Sequence, residues 1–377
     1  MRPDPISEGS RRGSWWKSRW LTSLARFVAI LVVFSFFALA VEGGRFYSPR
    51  NLESIARQSA VYATAALGMT LIIIAAGIDL SVGSIIALTS VVVAWILSRS
   101  AGAPSDSQAG LDYLIHEWPR LWPVVALCGG ILVATFAGAL NGILVVGLRL
   151  VPFIVTLGTL LVFRAAAKGI AQEKAIYPPE DSWLSHTMQP SFVPFLDWLR
   201  GTAGARSPSG VGWLVLPLGI WILIFAAVCA AVLLRYTRFG RHVYAIGSNE
   251  STARLCGVPV ERTKVLVYML GGLFAGLAGL MQFSYEGGYG FPTTAAGYEL
   301  QIIAAVVIGG GSLRGGEGSI LGSLIGALII TILYMGGQQM GWPKWVQEMV
   351  IGGIIIAAVA LDRARHRTEM GSGLIFD

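Results

Sequence analysis

Six stretches of this chain run for 19 or more residues without a charged side chain. At about 1.5 Å of rise per helical residue, each is long enough to cross a hydrocarbon core about 30 Å thick. They cover residues 60–78, 80–98, 121–148, 207–234, 265–285 and 318–343. With 54% hydrophobic residues, 13% charged residues and a mean hydropathy of +0.66, the 377-residue chain has too little polar surface for a soluble globule. The sequence therefore predicts an integral membrane protein.

Four weaker apolar segments raise the expected number of membrane crossings to about ten. They cover residues 27–41, 150–171, 299–313 and 345–361. The apolar runs are about twice as long as a barrel strand and lack the alternation of such strands, so the predicted crossings are helices. We expect a single all-α membrane domain over residues 26–362, in which some helices are broken or re-entrant.

Basic residues predict the orientation of these helices. With a cytoplasmic N-terminus, ten crossings place the basic arm 1–25, the polar segment 235–264 and the tail 363–377 on the inside, where Lys and Arg are enriched in membrane proteins. Both termini are therefore expected in the cytoplasm. The net charge of +7 then follows from topology, without a nucleic-acid partner. The first apolar run resembles a cleavable signal peptide, but further spans follow at once, which favours an uncleaved anchor.

A lone carboxylate, Asp79, separates two apolar runs that leave no room for an ordinary loop. Gly77 and Gly83 flank it, which predicts a tight reversal or a broken helix at the cytoplasmic end of the membrane. Asp79 and Ser81 suit the N-terminal cap of the next helix, where side-chain oxygens accept free backbone N–H groups. The alternative is a carboxylate that pairs with a partner subunit or moves during a transport cycle.

Glycines predict both close helix packing and a break in a helix. Small residues recur every four positions at Gly272 and Gly276, and in a run that begins at Gly318, and such faces let helix backbones approach closely. The clusters 309–311 and 315–316 instead interrupt a short apolar run. They predict a broken or re-entrant helix at that place.

Residue types that carry catalysis or bind metals are scattered along the chain. The three cysteines and four histidines form no cluster, so the sequence predicts no catalytic site, no metal site and no disulfide framework. None of the lysines follows a glycine, so the chain lacks the phosphate-binding P-loop and we expect it to bind no cofactor. A membrane-embedded enzyme is disfavoured on the same grounds.

The most polar segment between predicted spans is RYTRFGRHVYAIGSNESTARLCGVPVERTK, residues 235–264. Ser248 or Asn249 suits an N-cap, and Glu250 suits the first turn of a helix. Gly257 suits the left-handed position that follows the last turn. These signals predict a helix of about two turns, which is too short to be stable alone in water. It therefore needs a surface, either membrane headgroups or a partner protein.

Four stretches together resemble the ribose-type, or monosaccharide, permease subunits of bacterial ABC importers, a branch distantly related to branched-chain amino acid permeases. The resemblance covers about residues 50 to 362. The four stretches are GMTLIIIAAGIDLSVGSIIAL at 68–88, VPFIVTLGTLLVFRAAAKGI at 151–170, FGRHVYAIGSNESTARLCGVPVERTK at 239–264 and AGYELQIIAAVVIGGGSLRGGEGSILGSLIGAL at 296–328.

The resemblance implies a permease subunit of the bacterial inner membrane that imports a monosaccharide, while a separate ABC ATPase subunit binds ATP and Mg²⁺. It implies that the short helix of the polar segment is a coupling helix seated on that ATPase. Residues expected at this contact are Ser248, Asn249, Glu250, Ala253, Arg254, Gly257 and Val258. It also implies a periplasmic sugar-binding protein that delivers the sugar, and a second permease chain, identical or different, beside this one.

A path for neutral sugars needs polar side chains inside the membrane, because buried hydroxyls are costly without hydrogen bonds. Asn141, Gln282 and Gln301 are candidate partners for sugar hydroxyls, and Phe153 is a candidate apolar wall. Each is equally compatible with a helix–helix hydrogen bond or a lipid-facing aromatic. Gln301 departs from the family pattern, in which an acidic residue is common at this place.

The predicted periplasmic segment 173–212 is rich in aromatic residues and longer than is usual in the resembling family. It has room for a short amphipathic helix on the membrane surface, and docking of the delivery protein is compatible with that role. The aromatic residues in question are Tyr177, Trp183, Phe192, Phe195 and Trp198.

Two other functions fit the same pattern of spans. One is a self-sufficient secondary transporter, which would need a coupling-ion site and would not need the polar segment 235–264. The other is an importer of a different small solute, such as a nucleoside or a branched-chain amino acid. Nothing in the sequence identifies the sugar.

Overall fold

The computed structural model describes residues 26–99, 121–178, 182–189 and 216–371. Throughout these ranges the chain forms helices and turns, with a single isolated antiparallel bridge between Ile176 and Gly290. The helices are α1 (Arg26–Ala40), α2 (Pro49–Ile74), α3 (Val82–Arg99), α4 (Trp122–Leu148), α5 (Pro152–Ala171), α6 (Leu218–Tyr236), α7 (Arg238–Ser248), α8 (Glu250–Leu255), α9 (Val260–Tyr285), α10 (Tyr298–Ile308), α11 (Ile320–Gln339) and α12 (Lys344–Gly371). Short 3-10 helices form at Glu42–Gly44 and Trp183–His186. The predicted all-α architecture is confirmed for these residues.

Among the described helices, seven are long and apolar enough to cross a membrane. They are α2, α3, α4, α5, α6, α9 and α11. The apolar helices α1 and α10 are shorter, and α12 extends over 28 residues to Gly371, past the domain boundary predicted at residue 362. The prediction of a multi-pass helical membrane protein is confirmed.

The bounds of α2 differ from those of the charge-free run that predicted it. The helix begins at Pro49 instead of residue 60, because Ser48 accepts the backbone N–H two residues after Pro49 at 3.4 Å and Pro suits the first helical position. It ends at Ile74, before the predicted end, because Ala76 takes a left-handed backbone with φ of 58°. The apolar pattern thus marks the part of α2 inside the bundle and misses its polar first turns.

The core of the bundle is built around α2. In α2, 94% of the most apolar window is buried, whereas in the peripheral helix α5 the figure is 28%. Helices α6, α9, α10 and α11 pack against α2. The backbones of α2 and α9 meet at glycines, since a Cβ placed on Gly68 would lie 2.9 Å from the Cα of Gly271. Only a glycine fits such a contact without displacement of the neighbouring helix.

The predicted glycine faces are confirmed as close helix contacts. A Cβ on Gly276 of α9 would lie 2.7 Å from the Cβ of Ala134 on α4. A Cβ on Gly326 of α11 would overlap with the carbonyl oxygen of Ala305 on α10. Small residues at these positions therefore determine how closely α4 and α10 approach their neighbours.

One end of the bundle, named here the loop end, carries residues 237–259. Tyr244 of α7 donates its hydroxyl to the carbonyl oxygen of Gly318 at 2.9 Å, just before α11. The first residue of α1, Arg26, donates to Ser319 Oγ at 3.4 Å. The starts of α1 and α11 therefore lie at the loop end together with α7 and α8.

The end of the bundle opposite to the loop end holds the start of α2 and the ends of α9 and α11. Gln339, the last residue of α11, donates to the side-chain oxygen of Asn51 in the first turn of α2 at 2.5 Å. The backbone N–H of Met188 donates to Ser284 Oγ near the end of α9 at 2.8 Å. α12 starts at this end, and its 28 residues span about 42 Å, enough to return to the loop end.

Helix α10 begins inside the bundle. The ring of Tyr298, its first residue, lies 4.5 Å from the ring of Tyr62 near the middle of α2. Eleven residues rise about 16 Å, roughly half of a hydrocarbon core. Residues 286–297 thus re-enter from the opposite end, and α10 then runs to the loop end, where the cluster 309–311 follows. This is the broken segment that the glycines predict.

Helix α3 also begins within the bundle. A Cβ on Gly83, in its first turn, would clash with the carboxylate of Glu299 in the first turn of α10. The two helix starts therefore lie side by side. Residues 75–81, which precede α3, are non-helical and enclosed by α4, α5 and α9. Such irregular backbone is tolerated in a membrane where protein surrounds it.

Candidate functional site

The polar segment 235–264 folds into two helices, α7 and α8, although the sequence predicts one. α7 begins after Thr237, whose hydroxyl accepts the N–H of Gly240 at 3.2 Å. Its apolar residues Val243 and Ile246 are buried against the bundle. A threonine cap followed by apolar residues at helical spacing is the signal that identifies this amphipathic helix.

The predicted short helix is present as α8 (Glu250–Leu255). Asn249 caps it by accepting the N–H of Thr252 at 2.9 Å, and Gly257 follows with φ of 80°. Both the cap at Asn249 and the left-handed glycine are confirmed. Ser248, the other candidate cap, is instead the last residue of α7.

α8 is anchored on one face and open on the other. Ala253 is buried in a small apolar cluster with Ile246 of α7 and Val260 of α9, and Val258 packs against the same cluster. On the open face, the side chain of Leu255 is 89% exposed. The open face of α8 therefore carries an apolar side chain that is accessible to a partner protein.

Four charged side chains connect α8 to the first turns of α9. Arg254 forms an ion pair with Glu261, and it also reaches Glu250 at 3.5 Å. Glu250 accepts from Lys264 Nζ at 2.6 Å. The hydrogen bond with Glu261 and the charge of that residue raise the pKa of the Arg254 guanidinium above its usual value. The four charges therefore form one continuous network at the junction of α8 and α9.

A cleft of about 740 Å³ lies beside this network. The turn between α4 and α5, residues 145–152, forms one wall, and the four charged residues together with Val260 form the other. Arg149 ends α4 with a left-handed backbone, φ 52°. The cleft separates α8 from the α4–α5 turn, so α8 connects to the bundle through α7 and α9.

The polar turn around Asp79 lies deep in the protein, where the side chain is 2% exposed. One carboxylate oxygen accepts both the N–H of Ser81 at 2.7 Å and its hydroxyl at 2.6 Å. Asn141 of α4 donates to Ser81 Oγ at 2.7 Å and lies 3.5 Å from both oxygens of Asp79. Asp79 thus stabilises the turn that ends one residue before α3. The predicted N-cap would accept N–H groups of the first helical turn, whereas Asp79 accepts the N–H of Ser81, which precedes the helix.

The two glycines that flank Asp79 are enclosed by neighbouring helices. A Cβ on Gly77 would lie 2.7 Å from the hydroxyl of Tyr268 on α9, and that hydroxyl donates to the carbonyl oxygen of Ile78 at 3.4 Å. Gly83 faces the carboxylate of Glu299. Both glycines therefore permit close contacts on the inner surface of the turn.

The four candidate path residues lie in two separate regions of the bundle. Asn141 belongs to the Asp79 turn, and Phe153, which is 46% exposed, lies at the start of α5 near the loop end. Gln282 of α9 is buried and donates to Glu286 at 2.9 Å. Gln301 of α10 is half-buried, and among the described residues its Oε1 has no hydrogen-bond partner. The lining role stays a prediction for all four.

A polar cluster around the re-entrant segment 286–297 escaped the sequence analysis. Arg164 of α5 donates to the carbonyl oxygens of Thr294 at 2.6 Å and Pro292 at 3.2 Å. The hydroxyl of Thr294 also donates to Glu286. An arginine inside an apolar span is the signal for this cluster, because such a charge faces protein or a cavity and seldom faces lipid.

Much of the predicted aromatic segment 173–212 lies outside the described residues, as does the basic arm 1–25. Phe192, Phe195 and Trp198 are among the residues outside the described ranges, so the amphipathic helix stays a prediction. Within them, the ring of Tyr177 lies 5.3 Å from the ring of Tyr289.

Comparison with known proteins gives one family and a consistent set of relatives. The family described as branched-chain amino acid transport system / permease component matches residues 51–359. The ribose import permease protein RbsC of Escherichia coli (strain K12) is 34% identical over 347 residues, which cover 92% of this chain and 95% of that protein. RbsC of Bacillus subtilis (strain 168) is 34% identical over 343 residues, which cover 91% and 92% of the two chains. The xylose transport system permease protein XylH of Escherichia coli (strain K12) is 33% identical over 391 residues, which cover 93% and 94%.

No solved structure matches the chain. The helical bundle with its re-entrant segments, together with these relatives, defines an integral membrane permease component. The chain belongs to the family of permease components of branched-chain amino acid transport systems, because the match extends over residues 51–359. The predicted resemblance to ribose-type permeases is confirmed by the identity to the two RbsC proteins.

Proposed function

We propose that this chain is the membrane-spanning subunit of an ABC importer that carries a monosaccharide across the bacterial inner membrane. Ribose and xylose are the solutes in the names of the relatives, which match more than nine-tenths of this chain. Hydrolysis of ATP with Mg²⁺ takes place on a separate subunit. The permease itself forms and breaks no covalent bond.

The observation that carries the proposal is the geometry of α8. This six-residue helix is capped by Asn249 and anchored by Ala253, and it presents the exposed Leu255 at the loop end. A helix of this length is unstable alone, so its order comes from the surfaces that it contacts. An ATPase that binds the open face of α8 exerts force on α9 and, through α9, on the core. The expected contact residues Ser248, Asn249, Glu250, Ala253, Arg254, Gly257 and Val258 all lie in or beside α8.

The orientation of the chain in the membrane is inferred from the loop end. We place the loop end in the cytoplasm, where it carries α7, α8 and the start of α1, and both termini with it. Helices α1, α10 and α12 then bring the seven apolar spans to ten crossings, because α10 and the segment before it together cross once. Basic residues at or near the loop end support this orientation. They are Arg26, Arg149, Arg235, Arg238, Arg241, Arg254, Arg262, Lys264 and Arg314.

Two further partners complete the transporter. A periplasmic sugar-binding protein docks at the end opposite to α8, where residues 172–178 and 286–297 lie. A second permease chain, the same or different, packs beside this one, and the sugar passes between or through the two. Polar atoms that have no hydrogen-bond partner among the described residues, such as Gln301 Oε1, favour weak and transient contacts with sugar hydroxyls along this path.

Reconstitution tests this function. Proteoliposomes that contain the permease, its ATPase and the sugar-binding protein are given ATP and radiolabelled D-ribose, D-xylose or L-leucine. We expect ATP-dependent accumulation of a pentose that requires all three proteins. Accumulation of leucine instead would support an amino acid importer. Uptake by the permease alone, driven by an ion gradient, would support a secondary transporter and contradict the proposal.

A further inference from the structure

α8 has few attachments to the rest of the protein. Its buried face contributes one small side chain, Ala253, to the cluster with Ile246 and Val260. The cleft of about 740 Å³ keeps it apart from the α4–α5 turn. Its covalent connection to α9 passes through Gly257, which has a left-handed backbone and, among the described residues, no packing neighbour within 4 Å of the place where a Cβ would lie. α8 also continues directly from α7, where the N–H of Asn249 donates to the carbonyl oxygen of Ala245 at 3.1 Å. Towards α9, the backbone closes the turn with hydrogen bonds from Gly257 to Arg254 at 3.1 Å and from Val258 to Ala253 at 3.0 Å, and side-chain packing adds little resistance to a pivot of α8 against α9.

The charged network provides the remaining attachment. Two pairs, Arg254 with Glu261 and Glu250 with Lys264, join α8 to α9, and Arg254 with Glu250 joins the two pairs within α8. The side chains of Lys264 and Glu250 are 21% and 44% exposed, so this pair is partly shielded from water. Each pair alone would be weak at an exposed site, but a connected network has a defined geometry.

α9 is the helix through which a displacement of α8 reaches the core. It packs against α2, α3 and α4, and glycines bring the backbones together at the contacts with α2 and α4. Tyr268 of α9 also donates to the carbonyl oxygen of Ile78 in the Asp79 turn. A rotation of α9 therefore moves the turn before α3 as well as its neighbouring helices.

We propose that the network formed by Glu250, Arg254, Glu261 and Lys264 is the rigid link that converts displacement of α8 into movement of α9. This inference rests on the proposed function, in which an ATPase binds α8. The network prevents α8 from pivoting at Gly257, so that work done on α8 reaches the bundle. Loss of the link separates ATP hydrolysis from transport, while the open face of α8 continues to hold the ATPase.

The test measures how many sugar molecules enter per ATP hydrolysed. Proteoliposomes with the complete transporter take up radiolabelled D-ribose or D-xylose, whichever the wild type transports, while phosphate release is recorded in parallel. The variants are Glu261→Gln, Arg254→Gln and the double substitution. Arg262→Gln is the matched control, because Arg262 is an exposed neighbour for which the described residues include no ion-pair partner. Co-purification of the ATPase is measured for every variant.

The link predicts that Glu261→Gln lowers the sugar-to-ATP ratio at least about three-fold, the scale of coupling between neighbouring charges. The ATPase stays bound to Glu261→Gln, and the loss in the double substitution is smaller than the product of the two single losses, because Arg254 and Glu261 act partly through each other. Arg262→Gln keeps the wild-type ratio.

Three results would overturn the link while the wild type still transports sugar. They are an unchanged ratio in Glu261→Gln, a double substitution whose loss equals the product of the single losses, and loss of the ATPase from Glu261→Gln. A wild-type mixture that hydrolyses ATP without moving either sugar would instead overturn the proposed function, and the link with it.

Discussion

Asn141 of α4 donates its side-chain amide to the hydroxyl of Ser81 at 2.7 Å, and both side chains are fully buried. Ser81 in turn donates to Asp79, so a chain of hydrogen bonds runs from α4 into the turn that precedes α3. A buried polar chain of this kind orients the turn because every member loses a partner when one is removed. Hydrogen bonds from Ser81 and Asn141 therefore explain how the lone carboxylate of Asp79 is accommodated in an apolar bundle.

Replacement of Asp79 tests this role. We expect Asp79→Ala to lower the stability of the purified protein by about 1–3 kcal/mol, because the N–H and hydroxyl of Ser81 lose their acceptor in a buried site. Asp79→Asn keeps an acceptor oxygen and is expected to lose less. Thermal unfolding in detergent and the yield of membrane-inserted protein measure both effects. A changed sugar preference at wild-type yield would contradict the structural role.

Replacement of Gly257 tests the left-handed end of α8. We expect Gly257→Val to abolish ATP-coupled uptake while membrane insertion stays normal, because a β-branched residue is strained by about 1–2 kcal/mol at φ of 80°. Gly257→Asn is the matched control, since Asn tolerates this conformation and the surroundings leave room for its side chain. Normal uptake by Gly257→Val would argue against the coupling role of α8.

The contact between α10 and α11 tests the packing of the re-entrant region. Gly326→Ala places a Cβ against the carbonyl oxygen of Ala305 and is expected to destabilise the protein by about 1–3 kcal/mol. Gly352→Ala in α12 is the control, because no atom of the described residues lies within 4 Å of a Cβ at that position and alanine favours the helix. The midpoint of thermal unfolding distinguishes the two variants, and equal midpoints would show that α10 and α11 are not in close contact.

The two glutamines of the proposed path are expected to behave differently. Gln282→Leu removes hydrogen bonds to Glu286 and Thr294 and should lower stability by about 1–3 kcal/mol. Gln301→Leu removes no hydrogen bond between Oε1 and the part of the chain that the structure describes, so we expect wild-type stability and a reduced rate of sugar uptake. Thermal unfolding and initial uptake rates measure the pair. Wild-type uptake by Gln301→Leu would exclude this residue from the path.

The sequence predicts the membrane spans, the cap of α8 and the glycine contacts because these depend on local patterns. A run without charge, an Asn before a Glu, and a Gly repeated every fourth residue each have a direct physical meaning. Even so, the charge-free run that begins at residue 60 misses the true start of α2 at Pro49, because the first turns of this helix are polar.

Contacts between distant segments escape a single sequence. The donation from Arg164 to Thr294 joins residues 130 positions apart, and no local pattern predicts that pairing. The same holds for the pair of Glu250 with Lys264, whose charges sit on two helices and meet only after the chain turns at Gly257. The position of Asn141 beside Asp79 follows from the fold in the same way.

Cross-linking from α8 tests the central claim most directly. A cysteine introduced as Leu255→Cys, in a chain whose three native cysteines are replaced by serine, is treated with a membrane-impermeant maleimide and with a thiol–amine cross-linker beside the ATPase. We predict labelling in inside-out vesicles, none in right-side-out vesicles, and a cross-link to the ATPase. Labelling from the periplasmic side, or a complex that transports sugar without any contact between residue 255 and the ATPase, would contradict the claim that α8 receives force from a separate ATPase.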